Sequence, residues 1–221
     1  MKRIAQLTNI LISVMIPLFI FSSAGLSLLN GIFWNIEYNL PNFPPDPYGF
    51  TVQDRLHWSK LSIEYLFNES DISFLGDLNF SDGSSVFNDR ELSHMVDVKR
   101  LVQATIALWC VLTILLAISC GYYWRRGWLA TWGKVLSLGG WITVGVVITI
   151  ILAILISFNT FFTDFHHLFF QGDSWLFAYS DTLIRLFPLR LWQDVFISRG
   201  ILSLVFSGLA IFIGRKLDNK Q

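Results

Sequence analysis

The side chains in this sequence best suited to proton transfer near neutral pH are its four histidines. They are His57, His94, His166 and His167. On a helix, His94 and Asp97 would share one face, because residues three apart lie on the same side. A single histidine near a membrane is often only a tolerated polar residue. Four histidines that are confined to two segments of the chain instead indicate general acid–base chemistry.

Metal binding is a second chemistry that these residues could support. His94, Asp97, Asp164, His166 and His167 include enough nitrogen and oxygen atoms for a zinc or iron site. However, the sequence has no His-Glu-x-x-His pattern, and adjacent histidines point about 100° apart on a helix. We therefore predict no metal and no cofactor.

Other chemistries have no motif in the sequence. It has no Gly-x-Ser-x-Gly, no Ser-x-x-Lys and no glycine-rich phosphate loop. Cys110 and Cys120 both lie inside an apolar run, where a buried, inert thiol is expected. Transport is disfavoured, because the second and third spans described below contain no ionisable residue and the fourth contains only Arg199.

Membrane-spanning helices must position the histidines. The chain is 53% hydrophobic and its mean hydropathy is +0.54, above the usage of soluble domains. Crossing ~30 Å of hydrocarbon takes about 20 apolar residues in a helix. Four stretches are long enough: Ile10–Phe33, Leu101–Trp124, Val135–Phe158 and Val195–Gly214. We predict an all-α membrane protein with four transmembrane helices, forming a single domain over residues 1–221.

The charged residues predict the orientation of these spans. Fifteen of the 16 acidic residues lie between Glu37 and Asp194. By the positive-inside rule, the basic clusters place both termini and the loop between spans two and three in the cytoplasm. Segments 34–100 and 159–194, which contain all four histidines, then form an extracytoplasmic cap. The clustered basic residues are Lys2, Arg3, Arg125, Arg126, Lys134, Arg215, Lys216 and Lys220.

The first outer segment predicts a cap of mixed secondary structure. The proline-rich stretch Pro41–Pro47 should be extended and rich in turns. Residues Thr51–Asn68 form a modest amphipathic helix, which either lies on the membrane surface or packs on its own protein. Leu78–Phe87 contains Asp82-Gly83 between short apolar flanks and predicts a small two-stranded hairpin.

Three of the four histidines, His94, His166 and His167, lie near predicted points of membrane entry or exit. Asn88 and Glu91 have the spacing of a capping box, so a helix should begin there and continue into the second span. Phe161–Phe170 should continue from the third span. A short helix over Asp181–Phe187 should stop near Pro188, before the fourth span.

Two groups of motifs resemble those of a known family. The first is Phe87-Asn-Asp-Arg-Glu-Leu-Ser-His-Met-Val-Asp-Val-Lys99. The second is Phe165-His-His-Leu-Phe-Phe170, followed by Ser174-Trp175 and Asp181-Thr-Leu-Ile-Arg-Leu-Phe-Pro188. Their order, spacing and four-span setting resemble bacterial integral membrane proteins of the family that includes the lipoprotein intramolecular transacylase.

The resemblance implies an enzyme of the bacterial cytoplasmic membrane. It would move an acyl chain from the glyceryl group of a diacylglyceryl-cysteine lipoprotein to the α-amine of the same cysteine, giving a lyso-form lipoprotein. His94 and His166 correspond to the two motif histidines; one would act as base and the other as acid or oxyanion stabiliser. Its partners would be the lipoprotein and membrane lipid, with no nucleic acid.

Several further residues are expected to support or bind the substrate. Asp97 could orient the imidazole of His94, as a buried acid does in a catalytic triad. Arg90, Lys99 or Arg185 could stabilise an oxyanion or bind a polar head group. Trp175 and Asp181 belong to the second group of motifs.

Two other classes of function stay open on the sequence. One is a non-catalytic membrane scaffold that binds a partner through its outer segments; replacing His94 or His166 would leave its function intact. The other is a metal-dependent membrane hydrolase, which chelation would inactivate. A related acyl ester or phospholipid could also replace the lipoprotein as substrate.

Overall fold

The fold is built from helices of very different lengths. The computed structural model describes residues 2–170, 172 and 174–219. In chain order the helices are α1 (Lys2–Leu28), α2 (Gly31–Tyr38), α3 (Val52–Phe67), α4 (Ser73–Gly76), α5 (Asp89–Arg125), α6 (Leu129–Ile156), α7 (Phe158–Phe169), α8 (Thr182–Leu186) and α9 (Leu189–Asp218).

The chain separates into two compact units. The membrane unit comprises Met1–Ser27, Thr105–Ser157 and Ile197–Gln221, and the histidine unit comprises Leu28–Ala104 and Phe158–Phe196. All four histidines belong to the second unit, whereas α5 and α9 each contribute residues to both units. That the whole chain acts as a single domain stays a prediction.

The prediction of four spanning helices is confirmed. Among the described residues, α1, α5, α6 and α9 are each long and apolar enough to cross a membrane. Many of their large apolar side chains are exposed, as is expected of surfaces that face lipid, which is as apolar as leucine. The protein is therefore a multi-pass, all-helical membrane protein.

Close helix contacts in the membrane unit depend on glycine. A Cβ at Gly133 would lie 2.5 Å from the backbone oxygen of Gly214, and a Cβ at Gly139 would lie 2.6 Å from the Ile16 side chain. Small residues let helix backbones approach and gain van der Waals contact where no hydrophobic force drives association.

Two predicted spans end earlier than their apolar runs. The first run was predicted to continue to Phe33, but α1 ends at Leu28. Asn30 is extended there, and its side chain accepts hydrogen bonds from the backbone N–H groups of Ile32 and Phe33, which begins α2. The third run breaks at Ser157, which is also extended, so α7 is a separate helix rather than a continuation of α6.

In the histidine unit, α3 packs on its own protein. Thr51 and Asp54 form a reciprocal capping box at its start. Its buried face includes Ser59, Ser62 and Leu66, and it contacts α2, α4 and α8. Of the two arrangements that the sequence allowed, the structure therefore contains the packed one.

The predicted hairpin is smaller than expected. A single antiparallel bridge joins Asn79 and Ser85 across the turn, and no longer strand forms in residues 2–170, 172 and 174–219. Phe50, Trp58 and Phe80 instead pack around the core that includes Tyr65, Val86 and other buried residues. Side-chain packing, not strand pairing, therefore stabilises this part of the histidine unit.

Candidate active site

His94 lies on the second turn of α5, whose start is fixed by side chains. The Asn88 side chain accepts a hydrogen bond from the Glu91 backbone N–H at 3.1 Å, and the Glu91 carboxylate accepts one from the Asn88 N–H at 2.8 Å. This is the predicted capping box. The other Glu91 oxygen accepts from the Leu183 backbone N–H at 2.6 Å, so the same carboxylate ties α5 to α8, one turn before His94.

His166 lies near the end of α7, and a backbone contact decides which of its nitrogens is protonated. Its Nδ1 is 2.7 Å from the carbonyl oxygen of Phe162. Because a carbonyl oxygen can only accept, Nδ1 must bear the hydrogen, which leaves a lone pair on Nε2 when the ring is neutral. His166 therefore presents Nε2 as a base.

The structure brings the two motif histidines together. Their ring centroids are 6.3 Å apart and the rings are nearly parallel, with an interplanar angle of 24°. His94 is 8% exposed and His166 is 7% exposed. In contrast, His57 and His167 are exposed. Only the first pair therefore shares a buried site.

Both imidazoles are neutral at pH 7. Burial, reinforced by repulsion from His166, lowers the pKa of His94 to about 4. Burial also lowers the pKa of His166; the Phe162 carbonyl opposes this change and repulsion from His167 adds to it. His166 is thus the stronger candidate for a base, because a hydrogen-bond acceptor favours its protonated form.

The pair opens onto an apolar cavity of about 240 Å³ within the histidine unit. Phe170 and Phe177 contact His94 edge-on, with centroids 4.9 and 5.3 Å away. The Trp175 ring lies 4.7 Å from His166. Apolar residues from several helices form the remaining walls, including Leu29, Trp34, Ile63, Leu66, Met95, Val98, Leu101, Val102, Phe162, Phe165, Leu183, Ile184, Phe187, Trp192 and Phe196.

The predicted supporting residues near His94 have other partners. The Asp97 carboxylate pairs with Arg100 at 3.2 Å, and His94 Nδ1 has no hydrogen-bond partner in residues 2–170, 172 and 174–219. The structure therefore contains no His94–Asp97 dyad. Lys99 is buried, and its Nζ donates to Asn68 Oδ1 and the Ser70 carbonyl at 3.1 and 2.7 Å, so it ties α5 to the segment after α3.

Three more predicted residues lie outside the cavity lining and contact the segments that supply it. Arg90 is exposed and donates to the Leu176 carbonyl at 3.0 Å, which holds the loop that contains Trp175. Asp181 accepts from the Ala178 N–H at 2.9 Å and forms the turn before α8. Arg185, the third, makes a longer-range contact.

Arg185 connects α8 to the proline-rich connector. Its Nε and Nη2 donate to Asp46 Oδ2 at 3.1 and 3.0 Å, and its guanidinium lies 3.4 Å from the centre of the Phe50 ring. Asp46 lies in the stretch Pro41–Pro47, which had no assigned role on the sequence. That connector therefore helps to position α8, which supplies two cavity residues.

Sequence reasoning missed the second contact of Glu91 and the cavity role of Trp34. The capping-box spacing predicted the contact of Glu91 with Asn88. Its second partner, Leu183, is distant in the sequence, so no local pattern predicted that contact. Trp34 was placed only at the start of segment 34–100, without a role, whereas it lies in α2 and lines the cavity.

A metal site has no support in the described part of the chain. No group of three or more His, Cys, Asp or Glu side chains lies close enough to hold an ion there. The site thus consists of two neutral imidazoles and indole rings in an apolar cavity. Such an arrangement can move a proton and enclose an apolar substrate.

Comparisons with known proteins are consistent with this geometry. A family model described as lipoprotein intramolecular transacylase Lit matches residues 10–192. An uncharacterized protein of Aquifex aeolicus (strain VF5) is 30% identical over 209 residues, covering 91% of this chain and 91% of that protein.

Solved structures share the fold. The in meso structure of the membrane integral lipoprotein intramolecular transacylase Lit from Bacillus cereus matches with a TM-score of 0.84 and 21% identity, covering 100% of this chain and 98% of that one. A variant of the Bacillus protein with one histidine replaced by arginine matches with a TM-score of 0.78 and 21% identity, covering 99% of this chain and 94% of that one.

Proposed function

Since the chain belongs to the lipoprotein intramolecular transacylase family, we propose that it moves an acyl chain within a diacylglyceryl-cysteine lipoprotein, from a glyceryl oxygen to the α-amine of the same cysteine. The observation that carries this proposal is the buried pair of neutral histidines in one apolar cavity. An acyl ester is apolar apart from its carboxyl oxygens, so it fits a cavity whose walls are almost entirely hydrocarbon and aromatic.

In the proposed reaction, His166 is the base. The cysteine amine, in its neutral form, attacks the ester carbon; a carbon–nitrogen bond forms and the carbonyl π electrons move to oxygen. Nε2 of His166 then takes a proton from the attacking nitrogen, because Nδ1 is committed to the Phe162 carbonyl. The carbon–glyceryl oxygen bond breaks, and the departing oxygen receives that proton.

His94 acts as a neutral hydrogen-bond donor in this scheme. Its low pKa, about 4, makes it a poor base at pH 7 but keeps its ring uncharged, so that one nitrogen carries a hydrogen. Directed at an ester oxygen, that N–H would stabilise negative charge as it develops. The imidazole would therefore favour departure of the glyceryl oxygen.

The cavity also accelerates the reaction by orientation. Amine and ester belong to one molecule, so holding them together replaces a bimolecular encounter with an internal step. No metal or cofactor is required for this bond exchange, since the atoms and electrons balance without one.

We further propose that the histidine side of the membrane is extracytoplasmic and that both termini are cytoplasmic. The support is the distribution of charge, with basic residues at both termini and in the loop between α5 and α6. The α-amine of a lipid-modified cysteine would then meet the site at the outer boundary of the bacterial cytoplasmic membrane.

Tandem mass spectrometry of a lipopeptide tests the reaction. A synthetic diacylglyceryl lipopeptide is incubated in liposomes with purified protein, and the expected product is an N-acyl, monoacylglyceryl cysteine of unchanged mass. His94→Ala and His166→Ala should each lower the rate by about 10²- to 10⁴-fold, the usual range for loss of a general acid or base. His57→Ala is the matched control, because His57 is exposed and lies outside the cavity.

The outcomes separate the open alternatives. Product from wild type and from His57→Ala, but not from either cavity variant of normal thermal stability, supports the proposal. Unchanged lipopeptide in every sample would contradict it and favour the scaffold. A cleaved fatty acid that disappears on chelation would identify a metal-dependent hydrolase instead.

A further inference from the structure

The Trp175 indole places a hydrogen-bond donor beside the proposed base. Its ring centroid lies 4.7 Å from that of His166, at an interplanar angle of 31°. The His167 ring lies nearly perpendicular to it, with the centroids 5.4 Å apart. The side chain lines the cavity. It therefore belongs to the same small volume as the group that accepts the proton.

Trp175 Nε1 is buried and has no acceptor among residues 2–170, 172 and 174–219. Buried N–H groups in native proteins are nearly always paired, because an unpaired donor loses its hydrogen bond to water without compensation. The indole N–H can only donate. What is missing at this position is therefore an acceptor, and a substrate oxygen in the cavity can supply it.

From this we infer, on the basis of the proposed acyl transfer, that Trp175 Nε1 donates a hydrogen bond to the carbonyl oxygen of the migrating acyl group. This oxygen becomes negatively charged when the amine adds to the carbon. The bond therefore strengthens in the transition state, which lowers the barrier rather than merely binding the substrate. The indole does not exchange its proton, so the proton balance with His166 is unchanged.

The surroundings favour a strong effect from a single donor. Phe170 and Phe177 flank His94, and nearly the whole cavity wall is apolar. In such a low-dielectric site, a fixed donor interacts more strongly with developing charge than it would in water. His94, which also has an unpartnered nitrogen, remains available for the glyceryl oxygen.

Another cavity tryptophan is placed differently. Trp34 Nε1 is also buried without an acceptor in the described part of the chain, but its ring packs against Phe33, Tyr38 and Phe187. Trp175, by contrast, contacts His166, with the two rings tilted by 31°. The contact with the base thus singles out Trp175 as the donor for the reacting carbonyl.

The test replaces the N–H without changing the shape of the side chain. Trp175 is substituted by 3-benzothienylalanine, in which sulfur takes the place of the indole N–H, in the full-length protein reconstituted in liposomes. Loss of one oxyanion donor should lower kcat by about 10²- to 10³-fold, with KM for the lipopeptide nearly unchanged. The same replacement at Trp58, which packs against Phe80 outside the cavity, should leave kcat unchanged.

Each result is decisive for Trp175. An unchanged kcat, or a rise in KM alone, would overturn the inference, because either shows that the N–H does not act in the transition state. If the analogue disturbs thermal stability, Trp175→Phe provides the second variant, judged by the same kcat and KM criterion. Inactive wild-type protein would instead contradict the proposed transacylation, so the two failures are distinguishable.

Discussion

Replacing Asp46 with asparagine would remove one half of a buried ion pair in the histidine unit. The side chains of Arg185 and Asp46 are 13% and 1% exposed. Burial alone would raise the pKa of Asp46, but hydrogen bonds from Arg185 and the Phe50 N–H outweigh it and hold that pKa below its ordinary value. The aspartate is therefore charged at neutral pH.

The expected loss of stability follows from the contacts that remain. Removing one partner of a buried ion pair costs about 3–5 kcal/mol. In Asp46→Asn, however, Arg185 keeps the Tyr48 carbonyl at 3.3 Å and the face of Phe50, and a desolvated cation–π contact contributes about 2 kcal/mol. We expect the free energy of unfolding to fall by roughly 1–3 kcal/mol.

A double-mutant cycle measures the pairwise contribution. Unfolding free energies are determined in detergent for wild type, Asp46→Asn, Arg185→Gln and the double variant, and we expect coupling above about 1 kcal/mol. The exposed pair Asp97–Arg100, at 75% exposure for the arginine and 35% for the aspartate, is the matched control and should couple by less than about 1 kcal/mol.

The pH dependence has a defined sign. A carboxyl group whose folded pKa is depressed contributes stability above its unfolded pKa, here 3.8, and loses it as the pH falls through the folded pKa. The decrease in the free energy of unfolding caused by Asp46→Asn should thus be complete at pH 7 and become smaller only at acidic pH. Coupling no greater than that of the exposed control pair would refute the reasoning.

Three other predictions concern pH and packing. Because burial lowers the pKa of His166 from its ordinary 6.5, kcat/KM should decline in acid with a midpoint below pH 6.5. A midpoint above pH 6.5 would be inconsistent with a buried base. The pKa of Glu37 is raised from 4.5 to about 7, mainly by burial and to a smaller extent by a hydrogen bond with Asp194 and by charge repulsion from it. The free energy of unfolding should therefore fall as the pH rises across that interval. Differential scanning fluorimetry should show a higher melting temperature for Glu37→Gln than for wild type at pH 8, but not at pH 4.5. Gly133→Ala places a methyl group 2.5 Å from a backbone oxygen of α9 and should lower the free energy of unfolding by about 1–3 kcal/mol through overpacking. Gly145→Ala is the control, because nothing lies within 4 Å of the added methyl group, and it should not destabilise the protein. Equal unfolding midpoints in detergent for the two variants would contradict the close helix contact.

Local patterns in the sequence predicted much of the fold. The spanning helices follow from the length of apolar runs, since backbone groups in lipid must be paired within the helix. The start of α5 follows from the spacing of Asn88 and Glu91, because a capping box involves only neighbours in the chain. Asn30 was missed because a single polar residue does not visibly interrupt an apolar run.

The membership of the candidate site was predicted unevenly. His94 and His166 were selected from motifs and are indeed neighbours in the structure. Asp97 was assigned to His94 because the two share a helix face, but Arg100 on the same helix competes successfully for its carboxylate. Spacing along a helix shows which contacts are possible, but it does not determine which of the possible partners a side chain contacts.

The sequence alone determined that this is a four-span membrane protein with its histidines grouped in the two segments that join spans one and two and spans three and four, because the length of an apolar run is a local property of the chain. Only the tertiary structure decided that His94 meets His166, that Arg185 pairs with Asp46 and that Glu91 joins α5 to α8. These contacts join residues far apart in the chain, so they depend on how the helices of the histidine unit pack. The low pKa values of the two histidines have the same origin, since burial is a property of the folded cavity.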